Sequence, residues 1–249
     1  MTEGEDREDA VPGEREHAPS PTGRETVVTP PGEARITWHR AAAPYAVLAA
    51  GHGAGGGIEA RDLVALAAAL PPLGITVALV EQPWRVAGKK LAPAPRTLDA
   101  AWTALWPALA REGLPVAASG RSAGARVACR TAKDLGAAAV VALSFPLHPP
   151  ARRPPPPSTE ALRAASPVGK PEKSRADELL GAGVPTLVVQ GGRDPFGRPE
   201  EFPPGVAPVE VPYGDHGFAV PKRAPLTQEA ALTLLTDTVG DWLAATLKG

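Results

Sequence analysis

Short apolar runs recur along the chain: "YAVLAA" (45–50), "ITVALV" (75–80), "PVAAS" (115–119), "AAAVVALSF" (137–145) and "PTLVVQ" (185–190). Runs of this length, without polar alternation, fit strands buried on both faces of a parallel sheet. Between them lie stretches with helical spacing. In "EARDLVALAAAL" (59–70), Leu63, Leu66, Ala67 and Leu70 share one face, and Pro71-Pro72 ends the pattern. "TLDAAWTALWPALARE" (97–112, with Pro107 expected to kink it) and "AGARVACRTAKDL" (123–135) read the same way. So does "TQEAALTLLTDTVGDWLAATL" (227–247), with Thr227 as its N-cap. Strands alternating with helices predict an α/β chain with a mostly parallel, doubly wound sheet and helices on both faces. Two further strands, "TVVTP" and "ARITWHR", precede the alternation around Pro30-Pro31-Gly32, and "VAPVEV" supplies the last.

The boundaries follow from composition. Residues 1–24 carry dense mixed charge and no apolar stretch, so we expect a disordered tail rather than a signal peptide. Residues 25–249 form the folded domain. Within it, 148–180 is a proline-rich, charged insertion too long for an ordinary connection, either a lid or a surface excursion. A net charge of −1 gives no electrostatic case for nucleic acid or an anionic membrane surface. With a single cysteine, Cys129, an internal disulfide and any multi-cysteine metal site are excluded. Cys129 reads as a small core residue on a helix. A cytoplasmic protein with a small-molecule substrate, no metal and no cofactor is the expectation.

Two glycine-rich turns compete for the chemistry. In "GHGAGGG", Gly51, Gly53 and Gly56 spell G-x-G-x-x-G after a strand, and the next strand ends in the acidic Glu81. Alone, that is a dinucleotide fingerprint. In "VAASGRSAGARVA", Gly120, Ser122 and Gly124 form G-x-S-x-G between a strand and a helix. There a sharp turn exposes the serine hydroxyl, and small neighbours are needed because backbone packs close. Asp194 follows the strand "PTLVVQ" in "GGRDPFG", and His216 follows "VAPVEVP" in "YGDHGF".

The order Ser122, Asp194, His216, each on a loop after a strand, is the order of a hydrolase triad on this kind of sheet. His216 is then the general base and Asp194 its orienting acid. Asp215, adjacent to His216, is better placed to hold the loop through backbone N–H groups. The glycine loop is reassigned to an oxyanion, with the backbone N–H groups of Ala54 and Ala123 as donors. His52, Gly53, Gly55, Gly120 and Gly124 support that turn, and His52 reads as structural. Trp84, Phe145, Leu147 and Phe218 are candidates for a substrate pocket or for core packing. Arg121 could meet an anionic substrate, and Arg126 a structural carboxylate.

With these residues assembled, the chain resembles the dienelactone-hydrolase-like branch of the α/β-hydrolase superfamily. It is similar to the group that holds bacterial predicted hydrolases, testis-expressed hydrolase-like proteins and subunit 3 of the animal non-specific-lethal complex. The matching stretches are "GHGAGG", "VEQPWRVAGKKLAPAPRTLDAAW", "GRSAGARVA", "LSFPLHPP", "PTLVVQGGRDPFG" and "DHGF". The chain departs from the group at Arg121 and Ala123, where lysine and methionine are common. The resemblance implies a triad hydrolase without metal or organic cofactor. The expected activity is cleavage of a small carboxylic ester, lactone or thioester through an acyl-enzyme. Acyl transfer to an acceptor other than water uses the same residues. The competing class is a non-catalytic hydrolase-fold protein that binds a partner.

Overall fold

The computed structural model describes residues 23–149 and 174–248. The first 22 residues of the expected tail, and residues 150–173 of the expected insertion, lie outside them. Gly23 and Arg24, assigned to the tail from sequence, instead open the first strand. They pair with Trp38 and Thr37, and the ladder's hydrogen bonds hold them despite their polar composition.

The chain forms β1 (Gly23–Thr29), β2 (Gly32–His39), β3 (Ala46–Gly51), β4 (Ile75–Glu81), β5 (Val116–Arg121), β6 (Ala139–Leu143), β7 (Thr186–Gly191) and β8 (Val209–Val211). The helices are α1 (Arg61–Ala69), α2 (Pro83–Val86), α3 (Pro95–Ala110), α4 (Ala123–Leu135), α5 (Ala176–Leu180) and α6 (Gln228–Leu247). All eight strands join one sheet in the order β1-β2-β4-β3-β5-β6-β7-β8. The β1–β2 and β2–β4 pairings are antiparallel, and every later pairing is parallel.

Strand periodicity divides the core in two. Along β3, Val47 and Ala49 face the side covered by α3 and α4, where Trp102, Leu105 and Leu109 are buried. Leu48 and Ala50 face the other side, against Leu63 and Leu66 of α1 and Leu235 and Val239 of α6. Each β3 residue is thus buried on one face or the other, which is why the run reads as continuously apolar.

The local signals work as their chemistry predicts. Thr227 caps α6 by accepting the Ala230 N–H. α4 ends at Gly136, held left-handed at φ 65° where a Cβ would be strained. Pro107 lies inside α3 without ending it. α5 was not legible, because "ADELL" carries too little apolar pattern. It is fixed from outside: Leu179 is buried, and Glu178 receives hydrogen bonds from both Arg126 and Arg130 of α4. Arg126 therefore has the structural carboxylate partner expected of it.

Candidate active site

The carboxyl ends of β3, β5, β7 and β8 meet at one edge of the sheet, the edge where open α/β sheets bind ligands. β5 delivers Ser122 to that edge with φ 56° and ψ −110°, outside the usual regions for a residue with a side chain. Such backbone persists only where the surroundings over-determine it. Here they do. The Ser122 N–H donates to the Leu143 carbonyl at 2.9 Å, and its carbonyl accepts from Arg126 of α4 at 3.2 Å.

Closeness of backbones fixes the rest of the turn. A Cβ on Gly120 would lie 2.5 Å from the Gly124 carbonyl carbon and 2.8 Å from the Gly51 oxygen. One on Gly124 would collide with the same Gly51 oxygen and reach 3.0 Å from the His52 carbonyl oxygen. By contrast, Gly53, Gly55 and Gly56 are not among the left-handed glycines, and a Cβ on Gly55 would meet nothing within 4 Å. None of the three is required by left-handed backbone. The loop is placed by the contact of Gly51 with Gly124, and Gly53 lies against the Ser122 side chain.

The three predicted residues come together. The Ser122 hydroxyl lies 2.9 Å from His216 Nε2, and His216 Nδ1 lies 2.7 Å from Asp194 Oδ2. Asp194 is fully buried, while the His216 side chain keeps one-fifth of its exposure. Asp194 sits among donors: Phe196 N–H at Oδ1 (2.8 Å), and Gln190 Nε2 at Oδ2 (2.9 Å) beside the imidazole. The Phe196 ring also meets His216 edge to face at 4.5 Å between centroids. Neither Gln190 nor Phe196 was anticipated. Gln190 had a signal, a polar residue directly after the apolar run Leu187, Val188 and Val189, and Phe196 had none. Asp215 holds the loop as expected, accepting the N–H groups of Gly217 and Ala219 through one oxygen.

His52 is buried and structural. Nε2 accepts the Gln82 N–H at 3.1 Å, so the ring proton resides on Nδ1 and donates to the Gly53 carbonyl at 2.9 Å. The ring thereby ties the glycine loop to the end of β4. Burial pushes its pKa below the ordinary imidazole value. The unfolded chain therefore takes up the proton first as pH falls. The stabilisation is complete above about pH 6.5 and is lost below it towards the folded pKa, with a limiting slope of about 1.4 kcal/mol per pH unit. We expect the melting temperature of the wild type to fall more steeply between pH 7 and pH 5 than that of His52→Asn. Parallel curves from calorimetry would refute this role.

Arg121, also at the elbow, is turned inward. Its Nη2 donates to the His216 carbonyl at 3.1 Å, and its Nε lies 3.7 Å from the fully buried carboxylate of Asp62 on α1. Burial raises the Asp62 pKa and the Arg121 charge pulls it back. The guanidinium thus links elbow, histidine loop and α1 rather than presenting itself to a substrate anion. Phe145, Leu147 and Phe218 are core residues, each no more than 2% exposed. Trp84 alone of the four pocket candidates lines a cavity beside the glycine loop, together with Ala54 and Ala123. Ala123 is the first residue of α4, where a helix has no internal acceptor for the N–H. Among the described residues no group of three or more His, Cys, Asp or Glu is arranged to hold a metal ion, and no helix is long and apolar enough to cross a membrane. Cys129 is buried, which pushes its thiol pKa up to about 12 and leaves it unreactive.

This strand order, with a serine elbow and a histidine loop at one sheet edge, defines the α/β-hydrolase class. The family described as Alpha/beta hydrolase domain matches residues 44–166 and 164–244, and the chain belongs to it. Its architecture is similar to dienelactone hydrolase from Anabaena variabilis (TM-score 0.65, 18% identity, covering 93% of this chain and 100% of that one). An α/β serine hydrolase without lid from Xanthomonas campestris is comparably similar (0.63, 18%, 90% and 96%). So is Est1E from Butyrivibrio proteoclasticus (0.64, 13%, 92% and 100%). No curated protein matches the chain.

Proposed function

We propose that the protein is a serine hydrolase that cleaves small carboxylic esters, lactones or thioesters through an acyl-enzyme. The observation that carries this is the unbroken relay from Asp194 to His216 to Ser122, at 2.7 and 2.9 Å, ending on a serine held at φ 56°.

The steps follow from the geometry. Asp194 accepts the Nδ1 proton of His216, which leaves Nε2 free to accept the Ser122 proton. Ser122 Oγ forms a bond to the substrate carbonyl carbon as that proton moves. Negative charge develops on the carbonyl oxygen, and the N–H groups of Ala54 and Ala123 stabilise it. His216 then returns the proton to the leaving oxygen or sulfur, whose bond to carbon breaks. Water attacks the acyl-Ser122 ester by the same route, with His216 taking its proton, and releases the acid. Est1E, similar in fold, has been solved with ferulic acid bound.

The test is labelling of the intact protein with a fluorophosphonate, with the adduct located by mass spectrometry and turnover of phenyl acetate followed in parallel. An adduct on Ser122 with ester turnover is the expected result. A folded protein giving neither would overturn the reading and leave a binding protein built on a hydrolase fold.

A further inference from the structure

Gln190, near the end of β7, is fully buried, and its amide reaches the loop that carries Asp194. Nε2 lies 2.7 Å from the Gly197 carbonyl, 2.9 Å from Asp194 Oδ2 and 3.4 Å from the Phe145 carbonyl. All three are acceptors, so the NH₂ end must face them and the amide has one workable orientation. Its two protons go to the two short contacts, both on the acid loop. Oε1 is left buried without a hydrogen-bond partner among the described residues. An unpaired buried acceptor is costly, and that cost stands against the two bonds made at the other end of the same group.

The carboxylate oxygen that Gln190 reaches is the one that faces the histidine. Oδ2 receives Gln190 Nε2 and, at 2.7 Å, His216 Nδ1, while Oδ1 receives the Phe196 N–H. A donor on a carboxylate oxygen draws on its negative charge. The less charge Oδ2 keeps, the less it favours imidazolium over the neutral ring, and only the neutral ring takes the Ser122 proton. The second bond, to Gly197, helps to close the turn from Asp194 to Gly197, where the Gly197 N–H also donates to the Asp194 carbonyl at 3.3 Å.

We propose that Gln190 is a positioning residue of the triad. Through Asp194 Oδ2 it aims the carboxylate and tempers the charge that faces His216, so that the protein stays active to lower pH than it would without that donor. This rests on the hydrolase reading above and adds to it a residue that acts through Asp194.

The test is kcat/KM for phenyl acetate against pH, on the full chain with Gln190→Met and Gln190→Leu. Both remove the donor and add no charge. On the acid limb, activity is lost as the general base takes up a proton. With each profile scaled to its own plateau, the acid limb of both variants should move up by at least about 0.5 pH unit, an activity loss of about threefold at a given pH on that limb. The other charged groups around the histidine are the same in all three proteins. They are Asp215 beside it, Arg121 on its carbonyl with Asp62 behind, exposed Arg193 next to Asp194, and His148, Arg175 and Glu201 beyond Phe196. A displaced limb therefore reports the missing amide. A lower plateau with the acid limb unmoved is what a side chain that only supports the fold would give, and would overturn the proposal. If one variant fails to fold, the other decides. A fluorophosphonate adduct on Ser122 and ester turnover, with the limb unmoved, would remove the role of Gln190 and leave the hydrolase reading standing. A folded wild type with neither adduct nor turnover would remove both.

Discussion

Ser122→Ala is expected to lower ester turnover by about 10⁴- to 10⁶-fold and to abolish fluorophosphonate labelling. The size of the effect follows from what remains. Without Oγ, His216 Nε2 has no nucleophile to deprotonate at 2.9 Å, and only the backbone donors and binding are left to assist the reaction. Stability should hardly change. The side chain is partly exposed, and alanine pays the same backbone cost as serine at φ 56°. A melting temperature within about 2 °C of the wild type is the expected control. Retained labelling on another residue would mean that the nucleophile lies elsewhere.

Asp194→Asn should cost about 10⁴-fold in kcat. The carboxylate is surrounded by donors, with Phe196 N–H at one oxygen and Gln190 Nε2 and His216 Nδ1 at the other. An asparagine must aim its NH₂ at one of these sites, so a donor always faces a donor. Facing His216, the amide drives the ring proton onto Nε2, the wrong tautomer for accepting a proton from Ser122. Facing Phe196, it leaves that N–H buried without a partner and displaces the loop. Steady-state kinetics on phenyl acetate, with circular dichroism to establish folding, would decide. A kcat within about tenfold of the wild type would show that Asp194 is not the orienting acid. Asp215 is the nearby alternative, and its Oδ1 is occupied by two backbone N–H groups.

Much of this was legible in the sequence because it is local. Apolar runs of strand length give strands, G-x-S-x-G between a strand and a helix gives an elbow, and the order Ser122, Asp194, His216 needs only the loops that follow strands. What escaped depends on meetings between distant segments. Asp62 reads as an ordinary acidic residue in the first turn of a helix, and nothing near it in the chain points to Arg121. The inward turn of Arg121 follows from that meeting. Glu178 anchors α5 only because Arg126 and Arg130 stand on the facing helix. That Gln82 and Trp84 border two cavities is a property of volumes, and no residue pattern encodes it.

The contact of Gly51, Gly120 and Gly124 has a consequence for how such a protein can diverge. Two hydrogen atoms in place of side chains hold the Ser122 turn against the glycine loop, and any added carbon at Gly120 or Gly124 meets backbone that cannot yield. Position is thus specified by the main chain alone. The cavity adjoining that contact is bordered instead by side chains, Ala92, Leu98 and Val127 among them. Divergence at those wall positions would therefore leave the Ser122 turn in register, because its place is set by main-chain contact.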